Sequence, residues 1–184
     1  MTVRILAFMK RREDLARVQF AEHYERQHVP LALSVFEGWP FYQRNHIADS
    51  SVEVGFDCLS VFEYPDEASL HATVQHLAGD AGAPVRADEE RFMDRPGNRF
   101  CPVRSEWLRR GDVEQAPVKG LLLHADGELP QAADGVIAQR RHQLMWDNPE
   151  RGGLIALDEI WLAEDAVVDG LIRVRVFGDA DVSE

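Results

Sequence analysis

Residues 22–33 read EHYERQHVPLAL, and their reading decides the fold. They lie inside a longer amphipathic segment, LARVQFAEHYERQHVPLALSVFE, at residues 15–37. Phe20, Tyr24, His28 and Leu31 recur at spacings of four, four and three, which puts them on one helix face. Pro30 then interrupts a well-patterned helix. It has no N–H, so the Arg26 carbonyl loses its helical donor, and its ring crowds the preceding turn. The helix is therefore expected to kink or open near His28, and the freed backbone groups must find other partners. Gly38 and Pro40 supply the stop.

Around this helix the pattern alternates. VRILAFMK at residues 3–10 is β-branched, apolar and closed by charge, as a first strand would be. FYQRNHI (41–47) and DCLSVFEY (57–64) read as two further strands, joined by the turn-rich ADSSVEVG. DEASLHATVQHLA (66–78) reads as a helix with Asp66 as its N-cap, and RADEERFMD (86–94) as a short helical turn. RFCPVRSEWL (99–108) reads as a strand in which Pro102 favours an edge or a bulge.

The fold class expected is thus α+β, a ferredoxin-like β-α-β-β-α-β unit over residues 1–110. Such a unit covers one sheet face with helices. Apolar residues on the other face, Leu59 and Val61 against Cys58 and Phe62, ask for a partner sheet. A homodimer or an intramolecular pseudo-dimer would supply it. The polar stretch 108–117 reads as a linker. Beyond it, residues 117–178 read as β-α-β-β: strand 118–126, helix LPQAADGVIAQRRHQLMW (129–146), strand 153–164 and strand 171–177. This is either a shortened second half that completes an α+β barrel or an extension padding the first unit.

Composition removes several function classes. A net charge of −12 disfavours nucleic acid and anionic membrane as partners. No run approaches the length of a membrane span, and the first residues lack a signal-peptide layout, so a cytoplasmic location is expected. The two cysteines, Cys58 and Cys101, have no zinc spacing and read as reduced and buried. His23 and His28 are five apart, as are His71 and His76. Five residues turn an α-helix through roughly 500°, which separates the two side chains by roughly 140°. No metal and no organic cofactor is expected: HExxH, GxGxxG after a strand, P-loop and GxSxG patterns are all missing from the sequence.

Three pieces in order, FAEHYERQHVPLA, YQRNH and ADEERFMD, resemble the EthD-type branch of the dimeric α+β barrel proteins. The resemblance rests on His28 and Pro30, on Tyr42, Asn45 and His46, and on Ala87-Asp88-Glu89 with Phe92 and Asp94. It spans residues 3–107. It implies a ferredoxin-like unit whose sheet pairs with another, with ligands commonly lying between sheet and helix-side loops. The activities it implies are diverse: lactone isomerisation, dehydration of polyketide-type aromatics, accessory roles in degradation, and cofactor-independent monooxygenation in related barrels. Fold alone does not choose among them.

The candidate catalytic residues are His28 and His46, since histidine titrates near neutrality. Tyr24, Tyr42, Asn45, Asp88 and Phe92 are the candidate substrate-binding residues. Tyr24 lies one turn before His28 and either contacts a ligand hydroxyl or packs in the core. Asp88 either orients a histidine or caps the short helix, and the cap is the simpler expectation. Strand alternation puts Tyr42, Arg44 and His46 on one face and Gln43, Asn45 and Ile47 on the other. Polar residues on both faces suggest an edge strand or one bordering a polar cavity. Two functions of different classes follow. One is an acid–base enzyme of isomerase, dehydratase or cyclase type acting on an aromatic, polyketide-like or lactone-like small molecule. The other is a non-catalytic small-molecule-binding or accessory barrel.

Overall fold

A computed structural model describes residues 2–35, 41–125, 135–145, 153–164 and 166–178. The fold is mixed α+β. Its described strands are β1 (Val3–Met9), β2 (Phe41–Ser50), β3 (Cys58–Tyr64), β4 (Arg99–Arg109), β5 (Val118–His124), β6 (Val136–Leu144), β7 (Ala156–Leu162) and β8 (Ile172–Gly178). Its α-helices are α1 (Arg17–His23), α2 (Val29–Val35), α3 (Glu67–Ala78) and α4 (Ala83–Phe92). The hydrogen-bonded strand order is β1-β3-β2-β8-β5-β7-β6-β4, and it closes as a barrel. The chain divides into two compact units, residues 1–44 with 55–100 and residues 45–54 with 101–184.

In the first unit β1 and β3 pair antiparallel, from Val3 opposite Tyr64 to Met9 opposite Cys58. Their side chains join Phe20, Tyr24, Val29, Tyr42, Phe92 and Met93 in one apolar cluster. Between α1 and α2 the helix opens as expected. Tyr24–His28 form a π-helical turn, and the Val29 N–H donates to the Tyr24 carbonyl five residues back. Pro30 follows directly, so the wider turn sits where the α-helical donor is missing. The extra residue also shifts the buried stripe. Phe20, Tyr24 and His28 are buried, but the stripe continues through Val29 and Ala32, leaving Leu31 only half-buried.

Asp66 caps α3 as expected, accepting from the Ser69 N–H at 2.8 Å. The turn from α3 into α4 requires Gly82: a Cβ there would lie 2.2 Å from the Leu77 carbonyl oxygen. Arg86 donates to the same Leu77 carbonyl and to that of Gly79. The far end of α4 is stitched to the end of β1. The Arg12 N–H donates to the Phe92 carbonyl at 3.0 Å, and the Asp94 N–H to the Lys10 carbonyl at 2.9 Å. These ties place Asp88, midway along α4, against the π-turn.

In the second unit β5 lies between β8 and β7, and β6 lies between β7 and β4. Val136, Ile160, Leu162 and Leu171 form its apolar cluster. The helix expected over residues 129–146 is corrected here. Val136–Leu144 is a strand, while residues 129–134 and Trp146 lie outside the described residues. Ala, Gln and Arg are good helix formers, but propensity is a weak prior that partners override. Those partners are on β7. Asp158 accepts from Arg141 Nε and a terminal guanidinium nitrogen, both at 2.7 Å, and from Gln139 at 2.8 Å. His124 on β5 adds a fourth bond at 3.0 Å.

Both cysteines are buried and free. No helix of the described residues is long and apolar enough to cross a membrane.

Burial alone would raise the Asp158 pKa, but the bonds from Arg141, Gln139 and His124 outweigh it and hold it below the usual carboxylate value. A depressed carboxylate adds stability above its ordinary pKa and loses it as pH falls. Asp158→Ala also strands the Arg141 guanidinium in the interior. Urea unfolding at neutral pH should show a loss of roughly 3–5 kcal/mol, shrinking toward acid pH.

Candidate functional site

The π-turn organises the polar interior of the first unit. His28 is 5% exposed, and its Nδ1 lies 3.1 Å from Asp88 Oδ2. His23 Nε2 lies 2.9 Å from the other oxygen, Asp88 Oδ1. A carboxylate only accepts, so each histidine presents an N–H to it. The His28 proton is therefore on Nδ1, and a neutral ring keeps its lone pair on Nε2. Phe92 floors the arrangement, stacked on His23 with centroids 4.4 Å apart and tilted against His28 at 5.2 Å.

A chain of hydroxyls lies alongside. Tyr24 Oη is 3.0 Å from Ser60 Oγ and accepts from Tyr42 Oη at 3.1 Å. The Tyr24 ring meets His28 edge-on, with centroids 5.2 Å apart. Arg44 stands over the Tyr42 ring at 4.5 Å and pairs with Glu25 at 2.7 Å. Of the group, His23 lines a surface depression of about 300 Å³ together with Gln19, Glu22, Arg26, Gln27 and Arg91.

The electrostatics favour a neutral imidazole beside neutral phenols. Burial lowers the His28 pKa below 6.5, and the hydrogen bond and charge of Asp88 only partly oppose it. Burial raises Tyr24 and Tyr42 above the usual phenol value. A neutral, oriented imidazole is a proton acceptor, and a neutral phenol is a donor. Among the described residues, no group of three or more His, Cys, Asp or Glu is placed to hold a metal ion.

Residues 12–96, which include His23, His28, Asp88 and Phe92, match the family of the EthD domain. The EthD domain match is confined to residues 12–96. Similar solved structures include an ethyl tert-butyl ether D (EthD) family protein from Bacillus halodurans C-125. It is 25% identical over 55% of this chain and 96% of its own, with a TM-score of 0.43. A second, from Lactobacillus acidophilus NCFM and described as a "putative monooxygenase", is 9% identical over 89% of this chain and 78% of its own, with a TM-score of 0.48. Comparison with curated proteins finds no match.

Within the EthD domain the structure brings together His28, Tyr24, Tyr42, Asp88 and Phe92 of the expected residues. Asp88 does not cap a helix; it sits inside α4 and receives two histidines. Tyr24 is a packed aromatic, but its hydroxyl is buried and bonded. Asn45 and His46 belong to the second unit, and His46 packs edge-on against Phe177 at 5.5 Å. The exposed-edge reading of their strand is also corrected, since residues 41–47 are buried on both faces.

Sequence reading passed over His23 and Ser60. His23 was separated from His28 by α-helical geometry, but a π-turn bonds residues five apart and so turns them to one side. The HVP triplet was the signal for it. Ser60 carried no local signal.

Asp88→Asn removes the charge that raises His28. The acid titration of the His28 ring, followed by nitrogen-15 NMR, should move to lower pH. Tyr24→Phe leaves Ser60 and Tyr42 short of a buried partner and should cost about 1–3 kcal/mol in thermal unfolding.

Proposed function

We propose that the EthD domain performs acid–base chemistry on a small aromatic, polyketide-like or lactone-like molecule. The reaction is of isomerase, dehydratase or cyclase type, in a catabolic or secondary-metabolite pathway. The observation that carries this reading is the His28–Asp88 pair. Asp88 fixes the tautomer, burial keeps the ring neutral, and Nε2 is left to take a proton from carbon or oxygen. Asp88 then stabilises the imidazolium that forms. Tyr24, neutral, turns its single phenol proton from Ser60 to a carbonyl or hydroxyl of the substrate, Tyr42 supports it by donating to Tyr24 Oη, and Phe92 supplies an apolar wall. The element order β1, α1–α2, β2, β3, α3–α4, β4 supports a ferredoxin-like unit as its frame. Homodimer and intramolecular pseudo-dimer assemblies are distinguished by light-scattering mass.

A second reading has its own support. His28 and Asp88 are 5% and 6% exposed, which suits a hydrogen-bonded hub as well as a base. On that reading the domain binds a ligand or a pathway partner without converting it.

Thermal shifts on wild type and His28→Ala, with a panel of hydroxylated aromatics, muconolactone-like lactones and polyketide-like phenols, separate the two. Ligand at a hundred times its dissociation constant raises stability by about 2.7 kcal/mol. The proposal expects a hit that weakens in the variant and is converted by wild type but not by His28→Ala. Its rate should fall on the acid side with a midpoint below 6.5, since a lowered pKa keeps the base neutral until more acid pH. A bound ligand recovered unchanged from wild type would decide for the binding reading.

A further inference from the structure

Three side chains of the second unit, none of them in the EthD site, form a continuous hydrogen-bonded chain. Ser105 on β4 stands opposite His142 on β6, and its Oγ lies 2.8 Å from His142 Nδ1. His142 Nε2 lies 2.8 Å from Glu159 Oε2 on β7. His142 and Glu159 are wholly buried, whereas Ser105 is exposed.

The direction of this chain follows from Glu159. Its other oxygen pairs with Lys119 Nζ at 2.6 Å, and Arg140 stands 3.8 Å from Oε2. Burial by itself would raise its pKa, but Lys119, His142 and Arg140 hold it well below the ordinary value. An ionised carboxylate only accepts, so the His142 proton is on Nε2. In the neutral ring the lone pair is on Nδ1, and it accepts from the Ser105 O–H. The hydroxyl is thereby polarised toward solvent. An exposed serine needs no such partner, because water satisfies it. A buried imidazole held by a buried anion behind an exposed hydroxyl is instead the arrangement of an activated nucleophile.

We propose that Ser105 is a nucleophile, with His142 as its base and Glu159 as the orienting carboxylate, toward an activated aryl ester. The aryl preference comes from Trp107. It lies two residues along β4, on the same strand face as Ser105, and its ring packs against Trp161 with centroids 5.5 Å apart. In acylation, Ser105 Oγ bonds to the acyl carbon as His142 Nδ1 takes the hydroxyl proton. The carbon–oxygen bond to the aryl group breaks, and the aryloxide leaves with the proton from Nδ1. Water then attacks the Ser105 ester, giving its proton to Nδ1. The acid departs, and that proton returns to Ser105 Oγ.

The test is covalent labelling of the full chain with a fluorophosphonate, read by intact and peptide mass spectrometry, alongside p-nitrophenyl acetate hydrolysis. The expected result is one adduct, on Ser105, forming at least about tenfold faster in the folded chain than in urea. Ser105→Ala should still fold by circular dichroism, with a lower melting temperature because the buried His142 Nδ1 loses its donor, and lose both the adduct and the hydrolysis. His142→Gln, where folded by circular dichroism, should slow labelling about tenfold or more. An absence of adduct under conditions that label a serine hydrolase overturns the proposal. So does labelling unchanged in Ser105→Ala, or labelling equally fast in urea. None of these outcomes depends on the His28 reading.

Discussion

One buried carboxylate, Asp88, receives two histidines that an α-helix would turn away from each other. Everything distinctive in the first unit follows from making that possible. Pro30 denies the Arg26 carbonyl its donor, the chain widens by one residue into a π-turn, and His23 and His28 come to face α4 together. Gly82 and the ties from Lys10 and Arg12 then hold α4 at the height where Asp88 meets both rings. A regular helix would have kept the hydrogen-bond ladder and lost the convergence.

The chemistry of the site is set by the balance between burial and partners. His28 is driven toward neutrality by desolvation, while Asp88 limits the drop and fixes the tautomer. Tyr24 and Tyr42 stay protonated for the same reason of burial. The second unit resolves the same conflict differently. Asp158 and Glu159 are as deeply buried, yet each gathers enough cations and donors to remain below its ordinary pKa. Neutral groups near Asp88 and ionised groups on β7 are two answers to the cost of removing charge from water.

Much of this was legible in the sequence, and the losses have definite causes. The strands before residue 110, the Asp66 cap, the opening of the helix before Pro30 and the EthD resemblance all rest on local pattern. Tyr24 and His28 came from the helix period, Tyr42, Asp88 and Phe92 from that resemblance, and the five meet in one cluster. His23 was missed because α-helical geometry was applied to a segment that is not α-helical. The strand Val136–Leu144 was missed because its residues favour a helix in isolation.

What the sequence determined by itself is what neighbours along the chain determine: alternation, helix period, caps, and the missing N–H of Pro30. These act within a few residues and need no partner. Tertiary structure decided which charges could be buried. Whether Gln139, Arg140, Arg141 and His142 form a strand depends on Asp158 and Glu159, which arrive from β7. Whether Asp88 caps a helix or orients a histidine depends on a helix some sixty residues earlier. Burying a polar group is costly until its partner is in place, so the role of such a residue is settled by the fold and not by its own segment.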